Sequence, residues 1–317
     1  MQITIDTLDD LFICINLASN LELSGWPKIG NVHRTKNFEI TRYEHFIAGI
    51  SAIQPDFRVL CSNAYNDIIS KNESFASVNL GIFFKNAAAH MMSWQHGGNV
   101  VLGHILILGP LVSAAAICLK LKEYSLEFFE ENLKKVIEDS TVKDTLDLYE
   151  AIRICSPGGL GSIEKYDIND ADSIKNLQND NINLKEIFEI SKTYDLISSE
   201  YANNFKIILK EGLPYFFEVY RNFKDLHIAI LNTFLMLLSI HLDTLIIRKS
   251  GKSSSEYVSN IARRILEKGG ISTKKGLKLA LKYDKKLQKQ HGYLNPGTTA
   301  DLIAGVLFCA LIFGIRF

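Results

Sequence analysis

VVLGHILILGPLVSAAAICL, residues 100–119, is the stretch that decides the fold class of this chain. It is almost wholly apolar, with His104 and Pro110 as its main exceptions. A run of about 20 such residues suits either a membrane span or a helix buried in a protein core. Two similar runs, 229–247 and 302–317, are less suited to a membrane: His241 and Asp243 interrupt the first, and the second is too short. The three runs therefore predict the buried helices of an all-α protein.

Helical periodicity extends outward from these runs to nearly the whole chain. Leu11, Cys14, Ile15 and Ala18, for example, recur at the spacing of one helix face. No linker, internal repeat or low-complexity tract divides the sequence, and we expect one large all-helical domain over residues 1–317. A polar segment, 162–183, is interpreted as a surface excursion. About a dozen helices are predicted, at residues 5–22, 40–54, 58–71, 77–93, 101–120, 125–138, 143–154, 184–209, 213–221, 227–248, 253–268, 272–289 and 298–315.

The composition is that of a globular protein with balanced charge. Hydrophobic residues make up 47% and charged residues 22% of the 317 residues, and 35 basic side chains match 35 acidic ones. This balance creates no overall field favouring nucleic acid or an anionic membrane. The five cysteines are widely spaced, which favours reduced thiols over disulfides or a zinc site. Since the first residues, MQITIDTLDD, lack the pattern of a signal peptide, we expect a cytoplasmic protein.

Common catalytic fingerprints are absent from the sequence, so the candidate residues lie in small-residue loops beside helices. There is no GxGxxG, P-loop, HExxH, CxxC or GxSxG motif. His33, His104 and His241 have no helically spaced ligand partners, and we interpret them as ordinary core or loop histidines.

Two of these loops could approach a phosphate group. In PKIGNVHR, residues 27–34, Lys28 and Arg34 flank a Gly-Asn turn, where backbone N–H groups and cations can hold phosphate oxygens; a solvated turn between helices is the alternative. In PGGLG, residues 157–161, consecutive glycines permit close approach to a ligand, but they equally suit the end of a helix.

Asp243 is the most conspicuous carboxylate, because it closes the apolar run LNTFLMLLSIHL. A buried carboxylate needs a cation, a metal or hydrogen-bond donors. On a continuous helix Asp243 and Thr244 would lie one turn before Arg248, which leaves a structural ion pair and a functional site both open.

The stretch LNPGTTADLIAG, residues 294–305, predicts the start of a helix. Pro296 and Gly297 break the preceding structure, Thr298 is predicted as the N-cap, and Asp301 three residues later completes a capping-box pattern. A capped N-terminus also favours anions, so Asp301 is a candidate site residue as well.

Taken in order, five segments resemble the triphosphoribosyl-dephospho-CoA synthase family, most closely its archaeal-type branch. The segments are LELSGWPKIGNVHR (21–34), GNVVLGHILILGPL (98–111), DTLDLYEAIRICSPGGLG (144–161), DTLIIRKSG (243–251) and LNPGTTADLIAGVLF (294–308). The resemblance implies that the 2′-hydroxyl of 3′-dephospho-CoA attacks C1′ of the ATP ribose and that adenine leaves. It implies ATP and dephospho-CoA as small-molecule substrates, with Mg²⁺ on the triphosphate.

The resemblance also implies the roles of the candidate residues. Asp243, Glu22 and Asp301 are the expected catalytic carboxylates, Asp243 and Asp301 are the expected metal ligands, and Asp144 is a further candidate. Residues expected to bind the nucleotide are Lys28, Gly30, Asn31, Arg34, Asn99, Gly103, Arg153, Gly158, Gly159, Thr244, Arg248, Lys249, Asn295, Gly297 and Thr298.

The chain departs from the usual family pattern at Ile29, Asn37, Gly98 and Val100. These departures leave two alternatives open: a related glycosyl or phosphoribosyl transfer to another acceptor, and a non-catalytic nucleotide-binding helical protein. The sequence does not determine the oligomeric state, and a homodimer is one possibility.

Overall fold

The computed structural model describes residues 1–70, 72–156 and 165–317, and within these ranges it contains helices and no strands. The all-α prediction is therefore confirmed. The helices are α1 (Leu8–Ser24), α2 (Tyr43–Ala52), α3 (Gln54–Asn66), α4 (Leu80–Ser93), α5 (Leu102–Leu121), α6 (Leu126–Glu138), α7 (Val142–Cys155), α8 (Ala171–Asn179), α9 (Leu184–Ser191), α10 (Leu196–Ala202), α11 (Leu213–Phe223), α12 (Leu226–Ile240), α13 (Thr244–Ser250), α14 (Lys252–Leu266), α15 (Lys274–Gln288) and α16 (Gly297–Ile312).

The apolar run at residues 100–119 forms most of α5, at the centre of the protein. It packs against α1, α3, α4, α6 and α16, and nearly all its side chains are buried. Within the described ranges α5 is the one unbroken helix long and apolar enough to cross a membrane, and 94% of its most apolar window is buried. Burial on all sides is the property of a core helix that is hydrophobic all round.

Helix α16 is the second central element, and α1 packs against both α5 and α16. Local capping sets where α1 begins: the Thr7 hydroxyl accepts from the Asp10 N–H at 3.1 Å, and the Asp10 carboxylate accepts from the Thr7 N–H at 3.1 Å. The same device starts α7, where Thr141 is the N-cap. The Asp144 carboxylate accepts the Thr141 N–H at 2.7 Å and also the Gly81 N–H of α4 at 2.8 Å. Asp144, a candidate site residue in the sequence, therefore holds the start of α7 against α4.

Two of the predicted helical segments and the predicted polar excursion differ in the structure. The predicted helix 227–248 is interrupted after Ile240, and its continuation α13 is bent from α12 by 57°. The predicted helix 184–209 consists of α9, α10 and the start of a π-helical turn, Ile207–Gly212. The polar excursion at 162–183 contains α8. In each case a side-chain cap starts a new helix, at Asp243, Asp195 and Asp170 respectively.

All five cysteines are buried and unpaired.

Candidate active site

One cavity of about 360 Å³ collects residues that are far apart in sequence. The end of α1, the loop after it, the start of α5, helix α13 and the start of α16 meet there. Ten residues selected from the sequence line it: Glu22, Asn31, Asn99, Gly103, Arg248, Lys249, Asn295, Gly297, Thr298 and Asp301.

Glu22 forms a buried ion pair at one wall of this cavity. The Lys28 ammonium bonds both to the Glu22 carboxylate and, at 2.9 Å, to the Glu22 backbone carbonyl. Burial favours a protonated acid, but the charges of Lys28 and His104 hold the pKa of Glu22 below its usual value. Glu22 is therefore an ionised carboxylate at neutral pH, and Lys28 is its counter-ion.

His104 lies between Glu22 and a second carboxylate, Asp301. Its Nε2 is 3.4 Å from Glu22 Oε2 and 3.6 Å from Asp301 Oδ1. The imidazole is 3% exposed, and its Nδ1 has no hydrogen-bond partner among the described residues. The interpretation of His104 as an ordinary core histidine is wrong: it is a buried imidazole shared by two carboxylates at the cavity wall. One sequence signal could have indicated this role: an imidazole lies within the most apolar stretch of the chain.

Asp301 is the carboxylate in this group that reaches the cavity most openly, with 20% of its side chain exposed. Burial raises its pKa to about 7, against the opposing charge of His104. Its carboxylate packs on the first turn of α5 because residue 103 is glycine: a Cβ there would lie 1.9 Å from Asp301 Oδ2. Two neighbouring carboxylates thus have pKa values displaced in opposite directions, a pattern that divides acid and base roles in enzymes.

The cationic side of the cavity is formed by α13. Arg248 and Lys249 line it, and Arg248 Nη1 is 3.4 Å from Asp195 Oδ1. Asp195 itself caps α10 by accepting the Ser198 N–H at 2.9 Å. Asp195 also lines the cavity but was not selected from the sequence, because only the fold brings α10 and α13 together.

Asp243 does not line the cavity, and its carboxylate is already saturated. Oδ1 accepts from the N–H groups of Leu245 and Ile246 at 3.0 and 3.1 Å, and Oδ2 accepts from the N–H and hydroxyl of Thr299 at 2.7 and 2.8 Å. Its side chain joins the start of α13 to the start of α16 and is fully buried. This geometry does not fit the catalytic and metal-binding roles predicted for Asp243.

The predicted cap at Thr298 is also wrong. Helix α16 begins at Gly297 without a side-chain cap, and the Thr298 hydroxyl instead accepts the Leu245 N–H of α13 at 3.2 Å. Asp301 therefore belongs to no capping box, and its carboxylate is free to face the cavity. The Thr244 hydroxyl lies beside that of Thr298, at 3.3 Å, as part of the same junction.

Several residues predicted to bind the nucleotide lie elsewhere. Lys28 is occupied by Glu22, and Gly30, with φ of +75°, donates its N–H to Asp284 at 3.0 Å. Arg34 is exposed outside the cavity lining, and the Arg153 guanidinium donates to the carbonyl of Ile168. These contacts do not fit the phosphate-binding roles of Lys28, Arg34 and Arg153. Gly158 and Gly159 lie outside the described residues.

Metal ligands are sparse around the cavity. In the described ranges no group of three or more histidine, cysteine, aspartate or glutamate side chains is arranged to hold a metal ion.

In this all-helical fold the cavity combines an imidazole that lies between two carboxylates with a cationic wall. Residues 9–316 match the family model CitG, ATP:dephospho-CoA triphosphoribosyl transferase. The chain belongs to this family.

Known proteins resemble the chain in sequence and in fold. Proteins named as probable 2-(5''-triphosphoribosyl)-3'-dephosphocoenzyme-A synthases from Salmonella gallinarum and Salmonella typhimurium are each 30% identical over 109 residues, 34% of this chain and 35% of theirs. The match therefore spans about a third of the length of these curated relatives. A crystal structure from Archaeoglobus fulgidus, titled as a putative triphosphoribosyl-dephospho-coA synthase, superposes with a TM-score of 0.63 at 24% identity, covering 85% of this chain and all of that one. That likeness concerns the fold.

Proposed function

We propose that this protein transfers the 5-triphosphoribosyl group of ATP to the 2′-hydroxyl of 3′-dephospho-CoA and releases adenine. Membership of the family supports this pair of substrates. The observation that carries the proposal is the row formed by Glu22, His104 and Asp301 at the cavity wall. Such a row supplies a proton acceptor and a fixed negative charge, which are the two things that glycosyl transfer needs.

Asp301 is the proposed general base. Its pKa of about 7 matches a group that must accept and return a proton at neutral pH. The oxygen of the acceptor hydroxyl forms a bond to C1′ while the bond from C1′ to N9 of adenine breaks. The hydroxyl proton passes to Asp301 and finally to the departing adenine, so the enzyme ends the cycle unchanged.

Glu22 and His104 have supporting roles in this proposal. The Glu22 carboxylate, ionised beside Lys28, stabilises positive charge that develops on the ribose. His104, within 3.6 Å of Asp301 Oδ1, positions that carboxylate against the Gly103 turn.

Arg248 and Lys249 are the proposed phosphate ligands of the cavity. Mg²⁺ is held in proteins by one or two carboxylates together with substrate phosphates. Asp301 is the lining carboxylate that fits this limited donor set, because the Asp195 carboxylate already accepts from Ser198, Thr244 and Arg248. Bound there, the ion would neutralise charge on the triphosphate. Asp243 is not part of this proposal, because its four donors leave no free lone pair directed at the cavity.

We also propose the domain organisation, the family branch, the cellular location and the oligomeric state of the protein. We infer a single domain over 1–317, because one cluster of buried apolar residues extends from Ile3 to Ile315. The motif order supports the archaeal-type branch, and the reaction suits a cytoplasmic enzyme, monomeric or homodimeric, that works on small molecules.

The test is to incubate pure protein with ATP, Mg²⁺ and 3′-dephospho-CoA and to measure free adenine by chromatography. Adenine that appears only with dephospho-CoA supports the proposal. Adenine that needs another acceptor supports the related transfer, and ATP binding without adenine release for any acceptor supports the non-catalytic alternative. Asp301→Asn should lose adenine release, whereas Glu131→Gln, a change at an exposed position of α6, should retain it.

A further inference from the structure

The central cavity is small for the two substrates of the proposed reaction. At about 360 Å³ it lies near the lower end of the range for pockets that hold a single ligand, roughly 300–1,000 Å³. ATP and dephospho-CoA are both large and both carry a polyphosphate group. Parts of the substrates must therefore extend beyond this cavity.

A second hollow of about 890 Å³ adjoins the cavity, and the Phe38 side chain lines both. It lies between the loop 33–39 and the C-terminal end of α15. We call it the lysine hollow, because Lys36, Lys285 and Lys289 line it.

The three lysines of this hollow have no acidic partners. None of them forms an ion pair with another residue of the described ranges, although both carboxylates in the hollow have partners there. Asp284 Oδ2 lies 3.0 Å from His33 Nε2, and Glu39 Oε2 lies 3.9 Å from His291 Nδ1. The three ammonium groups are thus unpaired, and three lysines against two carboxylates leave the hollow a formal excess of one positive charge.

Helix α15 strengthens this positive field. It and the residue after it carry seven lysines that are all exposed: Lys274, Lys275, Lys278, Lys282, Lys285, Lys286 and Lys289. The one acidic residue of the helix, Asp284, is buried and bound by His33 and by the Gly30 N–H. In a chain with 35 basic and 35 acidic residues, this local excess attracts polyanions.

We propose that the lysine hollow is a second polyphosphate subsite, which binds the polyphosphate group of one substrate while Arg248 and Lys249 bind that of the other. The inference rests on the proposed function, which brings the triphosphate of ATP and the diphosphate of dephospho-CoA to one reaction centre. Two cationic clusters on separate walls allow both groups to bind without sharing cations. Lysine ammonium groups suit this task as point charges that tolerate more than one phosphate geometry.

The alternative is that these lysines form an ordinary solvated helix face. The two interpretations predict different effects on polyphosphate binding. In a subsite only the lysines of the hollow contribute to binding, whereas on a solvated helix face every lysine of α15 contributes alike. Lys285→Gln with Lys289→Gln therefore tests the subsite. Lys274→Gln with Lys275→Gln, at the other end of the same helix, is the matched control with the same loss of charge.

Binding of inorganic tripolyphosphate, measured by titration calorimetry, is the first experiment because it does not require turnover. We expect two tripolyphosphate sites per wild-type chain, one of which is weakened at least tenfold in the Lys285/Lys289 variant and retained in the control. Equal binding by the variant and the control would overturn the subsite. So would a wild-type protein with no site, or with a single site that Arg248→Gln removes.

Steady-state kinetics then identify the substrate. In the Lys285/Lys289 variant we expect kcat within about twofold of wild type and a KM increase of at least tenfold for one substrate. An increase for ATP assigns the triphosphate to the hollow, and an increase for dephospho-CoA assigns the diphosphate. If neither KM changes, the subsite is refuted while the reaction stands. If tripolyphosphate binding is lost as expected but no substrate yields adenine, the subsite stands and the proposed reaction fails.

Discussion

Replacing Asp301 by asparagine should inactivate the protein and yet make its fold more stable at alkaline pH. The reason is the buried position of this carboxylate: burial raises its pKa from an ordinary value of 3.8 to about 7. An unfolded chain releases the Asp301 proton at much lower pH than the folded chain does. As pH rises from about 4 to 7 the unfolded state therefore binds fewer protons, and linkage requires that the free energy of unfolding falls over this interval.

The size of the effect follows from the two pKa values. The difference between 3.8 and about 7 corresponds to about 4 kcal/mol if it is fully realised. Because 20% of the side chain is exposed, solvent screening reduces this figure, and we expect about 2 kcal/mol. Asparagine resembles the protonated acid at every pH, so the variant avoids this loss.

Urea unfolding followed by circular dichroism at pH 4.5 and pH 8 measures this effect. The advantage of Asp301→Asn over wild type should be about 1–1.5 kcal/mol larger at pH 8 than at pH 4.5, because part of the effect has already developed at pH 4.5, while Glu131→Gln should differ from wild type equally at both. In parallel, wild-type kcat/KM for adenine release should rise with pH through about 7 and then level off. The argument that ionised Asp301 destabilises the fold would be refuted by either of two results. One is a variant whose advantage does not depend on pH, and the other is a variant less stable than wild type at pH 8.

Three further substitutions test the neighbouring contacts. Gly103→Ala should lower kcat at least tenfold, because its Cβ would occupy the position of the Asp301 carboxylate; kcat near wild type would contradict the packing argument. Asp243→Asn should lower the free energy of unfolding by about 2–4 kcal/mol, since its amide would face N–H donors; a stable but inactive variant in urea unfolding would restore a catalytic role. Lys28→Met should destabilise the fold by about 3–5 kcal/mol by leaving Glu22 buried and unpaired. Adding Glu22→Gln should recover part of that loss, and a double variant no more stable than the single one would argue against the pair.

The sequence alone reveals the helical class, because that information is local. Apolar spacing of 3.6 residues and the run at residues 100–119 predict buried helices wherever those residues finally lie. The sequence also identifies the loops that combine small residues with isolated charges. Four of the charged residues selected in this way line one cavity in the structure: Glu22, Arg248, Lys249 and Asp301. The sequence did not reveal the breaks within the predicted helices 227–248 and 184–209, or helix α8. After Ile240, for example, an apolar run gives no sign of a bend when the residue that caps the next helix is a lone aspartate, Asp243.

The tertiary structure decided which of these residues can act. Asp243 and Lys28 looked available in sequence, but their partners Thr299 and Glu22 satisfy them in the fold. His104 looked ordinary, because Glu22 and Asp301, the carboxylates on either side of it, come from opposite ends of the chain. The sequence determined which charged groups this protein possesses. Folding determined which of them remain without a saturating partner, since burial and donors from distant segments set both the accessibility and the pKa of each group.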